Sequence, residues 1–99
     1  MGRAILPNRR RSENFDFLHG TVRFTATVGY GAEGISEVFL NSAKLGSDID
    51  SAARDAAIAV SLALQHGTPM PTLRGAVTRN ADGSPSSPIG KLLDLLQSP

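Results

Sequence analysis

Thr21-Val22-Arg23-Phe24-Thr25-Ala26-Thr27-Val28-Gly29-Tyr30 is the stretch that decides the fold. Side chains alternate along a strand, so Val22, Phe24, Ala26, Val28 and Tyr30 share one face while Arg23, Thr25 and Thr27 share the other. A strand of this kind belongs to an antiparallel sheet that is covered on one side and wetter on the other. Upstream, Asn14 to Leu18 alternates in the same way, with Phe15 and Phe17 expected on the covered face. Between the two runs, His19-Gly20 reads as a two-residue connection in which glycine supplies the positive φ of a tight hairpin. Downstream of Gly31-Ala32-Glu33-Gly34, the β-branched and aromatic run Ile35 to Leu40 makes a third strand. The expected sheet is an antiparallel three-stranded meander.

Beyond Asn41 to Gly46 the pattern turns helical. Ser47 followed three residues later by Asp50 resembles a capping box, and Asp48 adds a favourable charge to the first turn. Gly67 and Pro69 supply the stop, so a helix is expected from about Asp48 to His66. Only Ser61 interrupts the apolar run from Ala56 to Leu64, which predicts a helix enclosed on most sides, by the sheet and by another helix or subunit. Thr68-Pro69 is expected to cap a short helix holding Leu73, Ala76 and Val77, and a C-terminal helix over about Ile89 to Gln97 puts Leu92, Leu93 and Leu96 on one stripe. The expected class is α+β: the meander, then a long buried helix, a short helix and a C-terminal helix. Residues 1–12, with Arg3, Arg9, Arg10, Arg11 and the Pro7-Asn8 break, read as a basic arm, and 13–99 as a single domain. A chain of 99 residues, 40% of them hydrophobic, has room for one core and not two.

A formal net charge of +1 provides no global field for nucleic acid or membrane, so an anionic partner has to be met by a local cluster of bases. The chain has no cysteine, which removes disulfides, thiolate metal sites and every mechanism needing a thiol nucleophile or thiyl radical. No apolar stretch approaches spanning length, and the start Met1-Gly2-Arg3-Ala4-Ile5-Leu6 lacks both a secretory h-region and a myristoylation signal. A cytoplasmic location is the expectation.

Four segments together carry a resemblance: Thr25-Ala26-Thr27-Val28-Gly29-Tyr30, Gly34-Ile35-Ser36-Glu37-Val38-Phe39-Leu40, Lys44-Leu45-Gly46-Ser47 and Asp55-Ala56-Ala57-Ile58-Ala59-Val60-Ser61-Leu62-Ala63-Leu64-Gln65-His66-Gly67. They resemble the TSCPD domain, found at the C-terminal end of many adenosylcobalamin-dependent ribonucleotide reductases and also as short stand-alone proteins. The resemblance runs over roughly Phe15 to Leu96. It implies an accessory domain, because the reductases carry their radical chemistry in a separate large barrel. Without cysteine this polypeptide is not expected to perform reductase catalysis by itself.

The candidate site is the loop before the last helix. Ser84, Ser86, Ser87 and the backbone N–H groups near Ile89 and Gly90 form a potential cradle for a phosphate, with Arg79 as counter-charge and Asn80 reading a polar edge. The same residues also describe an ordinary helix start, with Ser87 as N-cap, Pro88 at the first helical position and Arg79 solvated. Gly90 favours the first reading, since glycine near the third position of a helix is unfavourable unless something approaches closely. Arg23, on the polar face of a rigid strand, is a second candidate ligand, while the Arg9 to Arg11 run reads as solvated charge or a phosphate contact. His19 and His66 read as turn histidines, and no catalytic dyad, Walker loop, metal-ligand set or dinucleotide fingerprint stands out.

The expected function is a non-catalytic small-molecule binding module for a nucleotide or other phosphate-bearing ligand, without cofactor or metal. Alternatives are a regulatory or docking partner of a ribonucleotide reductase or other enzyme, and a phage-type, anti-defence sponge that sequesters cyclic nucleotide immune signals. A small-residue row, Ala52, Ala56, Ala59 and Ala63, and uncovered sheet edges predict a homodimer or higher homo-oligomer.

Overall fold

The computed structural model describes residues 11–44 and 46–97. Three strands, β1 (Ser12–His19), β2 (Val22–Gly31) and β3 (Gly34–Ser42), pair antiparallel in the order β1-β2-β3, and are followed by α1 (Asp48–Gln65), α2 (Met70–Ala76) and α3 (Pro88–Leu95). This is the α+β meander with a long first helix. β1 and β3 are longer than their expected runs and β2 is shifted by one residue: β1 starts at Ser12 and continues through His19, so the hairpin turns on Gly20 (φ +62°) and Thr21, one residue later than His19-Gly20. Ser12 thus belongs to the sheet, and the Arg11 carbonyl already accepts the Tyr30 N–H at 2.9 Å. Arg3, Arg9 and Arg10 of the expected arm lie outside the described residues.

Phe17, Phe24, Ala26, Val28, Val38 and Leu40 from the sheet meet Ala53, Ala57 and Val60 of α1 and Ile89, Leu92 and Leu93 of α3 in one core. Val22, Phe15 and Tyr30 lie only partly covered at its margin. No helix among the described residues packs on the opposite sheet face, although Glu37 is buried there. There Thr25 Oγ1 donates to Asp16 Oδ1 at 2.8 Å and Thr27 Oγ1 to Asn14 Oδ1 at 2.7 Å, while Leu18 and Phe39 stand exposed.

The outer edge of β3 is sealed by α1. Ser61 Oγ accepts the Val38 N–H at 2.8 Å and donates to the Val38 carbonyl at 2.9 Å, Gln65 Nε2 donates to the Ser36 carbonyl, and Asp50 Oδ1 accepts the Ser42 N–H at 2.8 Å. Ser47 caps α1 by accepting the Asp50 N–H, as its spacing predicts. The Asp50 carboxylate, though, does not complete a reciprocal box with Ser47. It ties down the Ser42 and Gly46 amides, fixing the β3–α1 connection.

α1 departs from expectation in one respect: it is enclosed on one face only. Asp50, Ala53, Ala57, Val60, Ser61 and Gln65 are buried, whereas Ile49, Ile58 and Leu62 point away from the sheet and remain exposed. A three-stranded sheet offers α1 one surface, and the small helices pack at the sheet's side of it, so the rest of its apolar circumference has no neighbour within the described residues. The expected small-residue row divides accordingly: Ala52 and Ala59 are exposed, Ala56 and Ala63 half-buried. α1 ends at Gln65 with Gly67 at φ +95°, and Pro69 caps α2 without the Thr68 side-chain bond its sequence suggests. No helix among the described residues is long and apolar enough to cross a membrane.

Candidate functional site

Residues 78–86 fold as a closed miniature hairpin that leads into the start of α3. Arg79 and Pro85 form an antiparallel bridge, the Asn80 N–H donates to the Ser84 carbonyl at 2.8 Å, the Ser86 N–H to the Thr78 carbonyl at 3.1 Å, and Gly83 takes the left-handed φ of +88° that the tip requires. The polar side chains turn on one another: Asn80 Nδ2 donates to Ser84 Oγ, Ser84 Oγ to Asp82 Oδ1, and Ser86 Oγ to Asn80 Oδ1. At the helix start, Ser87 Oγ accepts the Gly90 N–H at 3.2 Å and Pro88 occupies the first helical position. Ile89 and Gly90 are buried. A Cβ on Gly90 would stand 3.1 Å from Pro85 Cβ and 3.3 Å from Ser87 Oγ, so the close approach that favours glycine here is made by the loop itself.

Arg79 is the main difference from the sequence reading. Its guanidinium makes a bidentate fork with Asp94 of α3, 2.8 Å on each side, and Nη2 and Nη1 also donate to the Arg74 and Gly83 carbonyls. It therefore straps the loop to α3 and is not an unengaged counter-charge. Arg74 Nε lies 3.5 Å from the same Asp94 Oδ1 without a hydrogen bond, and Arg74 Nη2 donates to Gln97 Oε1. Two guanidinium groups thus share one carboxylate, leaving residual positive charge between α2 and α3. Arg23 is exposed on the bare sheet face, beside Leu18, on the side away from the loop and helices.

The hydrogen bonds from Arg79 hold the Asp94 carboxyl below its usual range, those from the Ser42 and Gly46 amides do the same for Asp50, and the Ser84 hydroxyl and amide for Asp82. A carboxyl depressed in the folded state contributes stability above its unfolded value, about 3.9, and that contribution is lost as pH falls through the folded value. Urea unfolding followed from neutral pH downward should therefore show near-constant stability to about pH 5 and a decline below about pH 4, less steep in Asp94→Asn than in the parent chain.

A second place draws residues together that the sequence does not connect. A cleft of about 470 Å³ opens between the β1 edge, the end of the β2–β3 hairpin and the end of α3, lined among others by Phe15, Phe17, Tyr30, Ile35, Leu96 and Gln97. Phe17 stacks on Phe24 beneath it at 5.8 Å, and Phe15 tilts against Phe17 at 6.3 Å. The Arg11 guanidinium sits 4.0 Å over the Tyr30 ring, a cation–π contact. A hydrogen bond to Glu13 raises the Tyr30 hydroxyl above its ordinary value, with burial adding to it and Arg11 opposing. Gln97 joins this cleft to the charge cluster, because the same side chain that lines the cleft accepts from Arg74.

Sequence reading placed Phe15, Phe17 and Tyr30 on the covered face without showing that the helices stop short of Phe15 and Tyr30. Arg74 joins the cluster although no local pattern marks it. The available signal was Arg74 and Arg79 standing five residues apart with Asp94 as the one acid in the last helix. Comparison with protein-family models, with curated proteins and with solved structures gives no match to this chain.

Proposed function

We propose that the protein is a non-catalytic binding module for a nucleotide or a related phosphate-bearing small molecule. The cleft carries this reading. At about 470 Å³ it lies in the range of small-molecule sites, and it combines aromatic faces with Glu13, Asp16 and Gln97, a lining that suits a base and leaves the phosphate to the guanidiniums outside it. A planar base would stack against Phe15 and Tyr30, an arrangement worth ~1–3 kcal/mol per base. Its phosphate would lie toward Arg74, where two guanidiniums face one carboxylate. In this reading Arg79, Asn80, Ser84, Ser86 and Ser87 act behind the site: their hydrogen bonds fix the loop, and Arg79 fixes Asp94 and through it Arg74. The resemblance to an accessory TSCPD domain and the absence of cysteine support binding over chemistry.

Thermal-shift measurement against mono-, di- and cyclic nucleotides tests the proposal. A ligand at a hundred times its dissociation constant adds ~2.7 kcal/mol, which for a domain of this size raises Tm by roughly 10–20 °C. Phe15→Leu, which keeps an apolar lining but removes the ring, should weaken the apparent affinity roughly 5- to 150-fold, given stacking energies of ~1–3 kcal/mol. No rise with any nucleotide overturns the proposal. A rise that Phe15→Leu leaves intact and Arg79→Ala removes would move the ligand to the loop, and preference for cyclic nucleotides would favour the sponge.

A further inference from the structure

We infer that β1 is a strand-addition surface for a second copy of this chain, pairing antiparallel with its own symmetry mate to build a continuous six-stranded sheet. The two edges of the sheet are treated differently. Along β3, side chains of α1 occupy the outward N–H and C=O groups of Val38, the Ser36 carbonyl and the Ser42 N–H. Along β1, no described residue does so, and the strand runs through eight residues with neither proline nor bulge.

The ladder fixes which groups face outward. Val38 turns its N–H and C=O to Ser61, away from β2, so its partner Val28 points toward β1, and the alternation carries through Ala26 and Phe24. Their β1 partners Glu13, Phe15 and Phe17 therefore bond inward, and Asn14, Asp16 and Leu18 present their backbone groups to the open side. A two-fold β1–β1 ladder must match outward residues with outward residues, which also keeps core face with core face.

Charge and hydrogen bonding select among the registers this leaves. Centring the axis on Asp16 sets two like carboxylates opposite each other, which is destabilising. Centring it on Phe15 sets Asn14 opposite the second copy's Asp16, twice by symmetry. The side chains are already prepared for that pairing. Thr27 donates to Asn14 Oδ1, leaving the Asn14 amide N–H groups to donate, and Thr25 donates to Asp16 Oδ1, leaving Asp16 Oδ2 to accept. On the other face, Phe15 meets the second copy's Phe15 in a close cross-strand aromatic pair beside the cleft.

Sedimentation of the full chain over micromolar to millimolar concentration should give a dimer. Asn14→Asp, an exposed substitution that still accepts from Thr27, should weaken it by about tenfold through two facing carboxylate pairs. The double variant Asn14→Asp with Asp16→Asn restores the complementary pair and should restore the dimer. Amide exchange supplies an independent readout: the Asn14, Asp16 and Leu18 N–H groups should gain protection as the dimer forms. A chain that stays monomeric, a dimer indifferent to Asn14→Asp, or one dissolved by Ile58→Glu on α1 while those three amides exchange freely would each overturn the inference.

Discussion

Phe24→Ala is expected to cost about 3–5 kcal/mol, because Phe24 is the largest fully buried side chain among the described residues. Phe24 is 1% exposed, stacks on Phe17, and lies on the middle strand, paired with Phe17 of β1 and Ser42 of β3. Removing the ring forfeits its transfer energy and leaves a cavity that rigid neighbours on two strands cannot collapse to fill. Domains of this size are stable by about 5–15 kcal/mol, so the variant sits close to unfolding. Urea denaturation followed by far-UV circular dichroism checks the value. Phe39→Ala, at the exposed counterpart on β3, should stay within about 1 kcal/mol, and equal losses at the two positions would contradict the one-sided core.

That contrast between Phe24 and Phe39 shows what a pattern of residues reveals. The period-two alternation of β2 is local, so it gives the strand and its covered face directly. The stops at Gly20, Gly34 and Gly67 are local too, because each needs a positive φ that the neighbouring residues make unavoidable. Phe39 lies in an equally apolar run, yet it stands exposed on a face that no described helix covers, and the number of layers is not written in any one strand. Ile49, Ile58 and Leu62 are misread for the same reason: hydrophobicity around α1 says what the helix prefers to bury, not what the rest of the chain can supply.

The site is less legible than the fold because its determinants are long-range. Ser87 and Pro88 announce a helix start within three residues, and the structure places both in those roles. Arg79 finds Asp94 fifteen residues on, a pairing that converts the one apparent counter-charge of the loop into a strap. The cleft depends on where α3 ends against β1, on residues separated by most of the chain.

Ser61→Ala is the second large expected effect, and its sign needs deciding because two terms oppose. Alanine is the better helix former, by up to about 0.5 kcal/mol on a scale that spans ~0.7 for ordinary residues. Against that, the Ser61 hydroxyl satisfies both the N–H and the C=O of Val38, a residue with no exposed surface, and each buried group left without a partner costs ~1–3 kcal/mol. The hydrogen-bond loss wins, and a net destabilisation of roughly 2–5 kcal/mol is expected. Ser51→Ala, on the exposed side of the same helix, carries the propensity gain without the loss and should be neutral or slightly stabilising. The consequence extends beyond stability. With the hydroxyl gone, the β3 edge opens at Val38 between the bonds that Gln65 and Asp50 still make, so Ser61→Ala should aggregate on heating more than the parent chain does. Light scattering recorded during the same thermal melt reads this out, and an Ser61→Ala protein as stable as Ser51→Ala would show that α1 does not seal the sheet.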